Sequence, residues 1–103
     1  MTRRPTVVDL FAGVGGMSLG FEQAGFDIAA AVELDPIHAA VHHFNFPQTA
    51  MLASSVVGLD VRSILSHPVC SDTLRNGVDV VCGGAPCQGF SLIGQRMMAD
   101  PRN

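Results

Sequence analysis

Hydrophobic positions along this chain fall into short continuous runs that alternate with stretches of helical spacing. Thr6–Phe11, rich in β-branched and apolar residues, reads as a strand buried on both faces. A helix is predicted from about Gly15 to Ala24, stopped by Gly25, which can take the left-handed cap conformation. Ile28–Glu33 is a second strand. Asp35 then caps a helix with Pro36 at its first position, where the missing N–H costs nothing. In that helix Ile37, Ala40, Val41 and Phe44 recur at helical spacing and are expected to face the core. His38 and His42 fall on the other face, which predicts solvent exposure. The helix should end near Asn45, before Pro47.

Ala50–Ala53 is a weaker third strand, leading to an acidic turn at Gly58-Leu59-Asp60. Short helices are predicted over Arg62–Ser66 and over Ser71–Arg75, the second closed by Asn76-Gly77. Val78–Cys82 is the fourth strand. Short strand–helix–strand units with right-handed crossovers imply an α/β fold, a Rossmann-like parallel sheet ordered 3-2-1-4. There is no internal repeat, low-complexity tract or linker, so residues 1–103 read as one domain. Gly94–Asn103 is the stretch expected to be disordered.

Composition narrows the class. A chain of 103 residues can bury one modest core. No apolar run is long enough to span a bilayer, and Met1-Thr2-Arg3-Arg4-Pro5 is not followed by a signal-peptide core. Three cysteines without a disulfide spacing point to a reducing cytoplasm. The net charge of −3, with six scattered arginines and no lysine, argues against nucleic-acid binding by this segment alone. Either the basic surface lies in another segment, or this domain does not meet DNA.

Two strand ends carry candidate chemistry. The fourth strand stops at Gly83-Gly84 and then presents Pro86-Cys87, a way of mounting a thiol at a sheet edge. The first strand runs into Ala12-Gly13-Val14-Gly15-Gly16. A dinucleotide fingerprint fails because Ser18 stands at the third glycine position, and a phosphate loop starting at Gly15 fails at Phe21 and Glu22. What remains is a loop whose backbone can approach an adenosine-type cofactor at Gly13, Gly15 and Gly16, or a tight turn with no ligand. Glu33, about twenty residues further on, suits ribose hydroxyls or, with Asp35, a helix N-terminus. Cys82 and Cys87, with His38, His42 and His43, lack zinc spacing; no metal is expected, and Cys82 reads as a small packed group.

The segment Asp9-Leu10-Phe11-Ala12-Gly13-Val14-Gly15-Gly16, with Gly20-Phe21 and Gly25-Phe26, resembles the first motif of the cytosine-5 DNA methyltransferases. Glu33 with Asp35 resembles their second motif, and Asp60-Val61 their third. Asp79 through Ser91, with Pro86-Cys87-Gln88, resembles the catalytic fourth. Gly94-Gln95-Arg96 and Asp100-Pro101-Arg102-Asn103 are similar to the loop that follows.

The resemblance implies S-adenosyl-L-methionine as cofactor, held by Phe11, Gly13, Gly15, Gly16, Glu33, Asp60, Val61 and Pro86. Asp60 would reach the adenine amino group and the Val61 N–H a ring nitrogen, although Asp60 also suits a helix cap. Phe11 suits either the adenine or the core. Cys87 would be the nucleophile that adds to carbon 6 of a cytosine flipped out of double-stranded DNA. Ser91 and Arg96 would meet phosphates, and Gln88 the vacated space. The family's Glu-Asn-Val motif, target-recognition region and late cofactor motif are absent from these residues. The chain therefore reads as the front part of an enzyme, inactive alone. It could be a truncated enzyme, part of one, or one subunit of a split enzyme completed by a second polypeptide. An RNA cytosine-5 methyltransferase and a non-catalytic binder of the cofactor are the alternatives.

Overall fold

The computed structural model describes residues 4–69 and 77–84. The helix expected over Ser71–Arg75, the stretch Gly94–Asn103, and Pro86, Cys87, Gln88, Ser91 and Arg96 lie outside the described residues.

Four strands and three helices alternate along the chain. They are β1 (Thr6–Leu10), α1 (Gly16–Gln23), β2 (Asp27–Val32), α2 (Pro36–Asn45), β3 (Ala50–Leu52), α3 (Val61–Leu65) and β4 (Val80–Gly83). The sheet order is β3-β2-β1-β4, and every pairing is parallel. This is the order read from the sequence. Helical crossovers place both central strands between covering layers, which is why β1 and β2 carry almost continuous apolar runs. Val7, Ala30, Ala31 and Val32 are wholly buried. The pairing of β1 with β2 slips between Val7 and Val8, a local irregularity in an otherwise regular ladder.

One face of the sheet packs Val8, Ala29, Ala30 and Ala50 against Ile64 of α3, joined by partly buried Leu10, Leu52 and Leu59. On the other face, Ser18 of α1 and His42 of α2 meet over Asp9 of β1. The side-chain volumes are small and alanine-rich, so the helices sit close to the strands. β4 is joined to β1 by a polar stitch at its start. Asp79 Oδ2 accepts from the Thr6 N–H at 2.7 Å, and the Thr6 hydroxyl donates to the Gly77 carbonyl at 2.9 Å.

The caps follow the sequence closely. Asp35 accepts from the N–H groups of Ile37 and His38 at 2.8 and 3.2 Å, with Pro36 in the first turn. These two backbone bonds hold its carboxyl below the usual carboxylate range. Gly25 stands at φ +98° after α1, as the helix stop requires.

The orientation of α2 is different from the one expected. Ile37, Ala40, Val41 and Phe44 face outward, with Ile37 73% and Phe44 83% exposed. The buried positions are Ala39, His42 and, just past the end, Phe46. His42 is therefore not a surface residue. Two contacts outweigh the apolar count: small Ala39 lets the helix approach closely, and His42 has a hydroxyl partner beneath it. His38 stays exposed beside Asp35.

Candidate functional site

Because all four strands are parallel, their carboxyl ends share one edge, and loops from β1, β2 and β4 meet there. β1 ends one residue earlier than the run of apolar residues suggests. Phe11 has turned out of the strand at φ +56°, a left-handed conformation that costs a non-glycine residue roughly 1–3 kcal/mol. The turn leaves its ring 39% exposed rather than in the core. The Ala12 N–H still donates to the Val32 carbonyl at 2.9 Å, so the loop stays tied to β2 as it leaves the sheet.

Glu33 is the brace of this edge. Its Oε1 accepts from the Gly13 N–H at 2.8 Å, and its Oε2 from the Asp35 N–H at 2.8 Å. One carboxylate thus fixes the glycine loop against the entry to α2. A carboxylate offers about four acceptor positions, so two remain for a further pair of donors. That capacity matches a vicinal diol. Leu34 follows Glu33 and is 68% exposed, an apolar surface that sequence reasoning passed over because one leucine carries no pattern.

The three glycines do not have one role. An ideal Cβ at Gly13 or at Gly16 meets nothing within 4 Å, so these positions leave open space at the loop. An ideal Cβ at Gly15 would lie 2.5 Å from Phe46 Cε2 and 3.2 Å from His42 Cδ2. Gly15 is glycine because α2 packs on it, and its φ of +110° excludes other residues as well.

Asp60 caps α3, accepting from the Arg62 N–H at 2.8 Å, and pairs with the Arg62 guanidinium at 2.8 Å. The guanidinium and the backbone bond hold its carboxyl below the usual range. Val61 opens α3 immediately after it. An open groove of about 510 Å³, lined by Leu52, Ser54, Leu59, Asp60 and Ser63 among others, lies beyond the end of β3. Of the predicted site residues, Phe11, Gly13 and Glu33 share the joined edge, while Asp60 stands on the β3 side with its carboxylate engaged by Arg62.

β4 delivers its end close to the same loop. A Cβ at Gly83 would meet Leu10 at 3.3 Å and the Phe11 ring at 3.5 Å, and one at Gly84 would meet Met17 Cε at 3.8 Å. β4 thus ends beside Phe11 and Met17. Cys82, one strand position earlier, pairs across the ladder with Asp9. Partial burial and the facing Asp9 carboxylate push its thiol up to about 11.

Sequence reasoning missed the polar chain behind the loop. Ser18 Oγ donates to Asp9 Oδ2 at 2.6 Å and lies 2.9 Å from His42 Nε2. All three residues are at most 1% exposed. The available signal was Asp9 itself, a charge inside an apolar strand that has to find a partner.

Among the described residues no cluster of His, Cys, Asp or Glu could hold a metal ion, and no helix is long and apolar enough to cross a membrane. Arg4 pairs with Asp27 and Arg62 with Asp60, so these two cations are held by neighbouring acids.

A parallel sheet with a glycine loop after β1 and a braced acid after β2 defines a Rossmann-like α/β unit. The model for C-5 cytosine-specific DNA methylases matches residues 5–103, and the chain belongs to that family. It is 55% identical to the type II methyltransferase M.XorII of Xanthomonas oryzae, over 97% of this chain and 23% of that enzyme. With M1.HphI of Haemophilus parahaemolyticus it shares 42% identity, over 95% of the chain and 26% of that enzyme. Among solved structures, Spodoptera frugiperda DNMT2 superposes with a TM-score of 0.63 at 27% identity, over 87% of this chain and 25% of that one. An Escherichia coli prophage protein described as a DNA modification methyltransferase gives 0.69 at 40% identity, over 84% and 24%. The chain spans about a quarter of the length of these four relatives.

Proposed function

We propose that this chain is the cofactor-binding and nucleophile-bearing front part of a DNA cytosine-5 methyltransferase that uses S-adenosyl-L-methionine. The observation that carries the reading is Glu33. It is fixed by two backbone donors, keeps acceptor capacity for a ribose diol, and stands at the sheet edge where β4, the strand that precedes Pro86-Cys87 in sequence, also ends. Open space at Gly13 and Gly16 admits the nucleoside, and the exposed faces of Leu34 and Phe11 suit a purine ring. Asp60 can serve the adenine amino group only by sharing its carboxylate with Arg62, and the Val61 N–H would meet a ring nitrogen. Gly15 contributes packing to this site, and Pro86 follows at the end of β4.

When bound, the cofactor supplies an electrophilic methyl group on a sulfonium. Cys87, as thiolate, would add to carbon 6 of a flipped cytosine and make carbon 5 nucleophilic. After carbon 5 is methylated, its proton leaves and the carbon–sulfur bond breaks, which regenerates the thiolate. Gln88, Ser91 and Arg96 are assigned to the double-stranded DNA partner. A second polypeptide is the partner in a split-enzyme arrangement, and the substrate and the activity are those of the protein at its relatives' length.

The test is covalent trapping on DNA containing 5-fluorocytosine, with the chain carried to the length of its relatives. The parent should form a stable adduct, and Cys87→Ser should form none while binding the cofactor as before. An adduct that survives in Cys87→Ser removes the assignment of the nucleophile.

A further inference from the structure

We propose that His42 and Ser18 are positioning residues for the glycine loop, linked to Asp9 in a buried chain that sets one tautomer of the histidine. The proposal extends the cofactor reading above, since the loop they position is the one assigned to S-adenosyl-L-methionine.

The argument starts from proton counting. Ser18 has one hydroxyl proton, and Asp9 Oδ2 at 2.6 Å takes it. Ser18 Oγ then faces His42 with lone pairs alone. The contact of 2.9 Å to Nε2 is a hydrogen bond only if Nε2 carries a proton. Burial lowers the affinity of His42 for a second proton, so Nδ1 is left bare, and it meets no hydrogen-bond partner among the described residues. A wholly buried ring nitrogen without a partner is a cost that an apolar side chain of the same shape would avoid. A residue chosen for packing alone would be a phenylalanine or leucine. The histidine is explained by what its other nitrogen does.

That nitrogen holds three elements in one register. Asp9 lies on β1, Ser18 is the third residue of α1, and His42 lies on α2. The same ring passes 3.2 Å from where a Cβ on Gly15 would stand, and it packs tilted, centroids 4.8 Å apart, against Phe46, which also closes on Gly15. Gly15 in turn accepts from the Leu19 N–H at 2.8 Å to start α1. The loop is thus pinned twice. Glu33 fixes its outer part through Gly13, and the Asp9–Ser18–His42 chain fixes its inner part through α1.

The test uses the 103-residue chain and three readouts. Nitrogen NMR of the His42 ring should show a protonated Nε2 and a bare Nδ1; the opposite tautomer overturns the proposal, and needs no variant to be made. His42→Gln places an amide N–H where Nε2–H stands, whereas His42→Phe keeps the ring volume and loses the donor. Amide exchange at Gly15 and Leu19, measured without ligand, should stay within about threefold of the parent in His42→Gln. It should quicken by about tenfold or more in His42→Phe and in Ser18→Ala. Affinity for S-adenosyl-L-methionine should follow the same order. Equal protection in His42→Phe and the parent would show that the ring serves packing only. If exchange follows the variants but the parent binds no S-adenosyl-L-methionine, either alone or with a downstream fragment supplied, the positioning stands and the cofactor reading falls.

Discussion

Replacing Gly15 by alanine is the sharpest perturbation the loop allows, because the cost can be worked out from two independent features. The new Cβ would stand 2.5 Å from Phe46 Cε2, inside any normal carbon–carbon contact, so Phe46 or the loop must move. Overpacking of that kind costs about 1–3 kcal/mol. The backbone at φ +110° adds about 1–2 kcal/mol for a residue with a Cβ. Together, at about 2–5 kcal/mol, these reach the lower end of the roughly 5–15 kcal/mol that stabilises a small domain. Gly16 is the control. A Cβ there meets nothing within 4 Å, and alanine in a helix gains up to about 1 kcal/mol over glycine. In urea, with a slope of about 1–3 kcal/mol per molar, Gly15→Ala should lower the midpoint by about 1–3 M while Gly16→Ala leaves it level or raises it. A double-mutant cycle with Phe46→Leu should then show coupling of about 0.5–3 kcal/mol, as the ring that collides is removed. Equal midpoints for Gly15→Ala and Gly16→Ala would refute the packing role and return Gly15 to the cofactor alone.

Three further outcomes are expected. Ile37→Gln and Phe44→Ser, on the outward face of α2, should change stability by no more than about 0.5 kcal/mol, whereas Phe46→Ala should cost about 3–5 kcal/mol by urea titration. His42 is held below its ordinary value of 6.5 by burial, against the Asp9 and Glu33 carboxylates that favour its charge and with His43 opposing it. The unfolded chain therefore takes up a proton that the folded chain excludes, so the His42 contribution is full above pH 6.5 and falls away below it. Midpoints from pH 8 to 5 should decline more steeply in the parent than in His42→Gln. Cys82, pushed up to about 11, should hold only about one part in a thousand as thiolate at pH 8 and resist iodoacetamide in the folded chain; Asp9→Asn should quicken its alkylation.

Strand order, the caps at Asp35 and Gly25, and the place of Glu33 directly after β2 were all legible in the sequence, whereas Asp60 stands eight residues beyond β3, at the start of α3. Each rests on local chemistry: β-branched runs, a carboxylate before Pro36, a glycine after a helix. The face of α2 was not legible, because counting apolar residues assumes that the core wants the most hydrophobic side. Here the surface beneath α2 is polar at Ser18 of α1 and closely approached at Gly15, so Ala39 and His42 fit it better than Ile37 and Phe44. The pinning of the Gly13 N–H by Glu33 was hidden for a related reason. It is a contact twenty residues apart in sequence, and only the parallel pairing of β1 with β2 brings it about. The dual role of the glycines was likewise invisible, since a Cβ clash depends on what packs opposite.

Calorimetric titration of the chain with S-adenosyl-L-methionine, set beside the same titration of Glu33→Gln, tests the central claim most directly. The account predicts saturable binding by the parent and a loss of about tenfold or more in Glu33→Gln, since one carboxylate both braces Gly13 and receives the ribose. Identical binding by the two proteins, or no binding by the parent either alone or with a downstream fragment supplied, would contradict it.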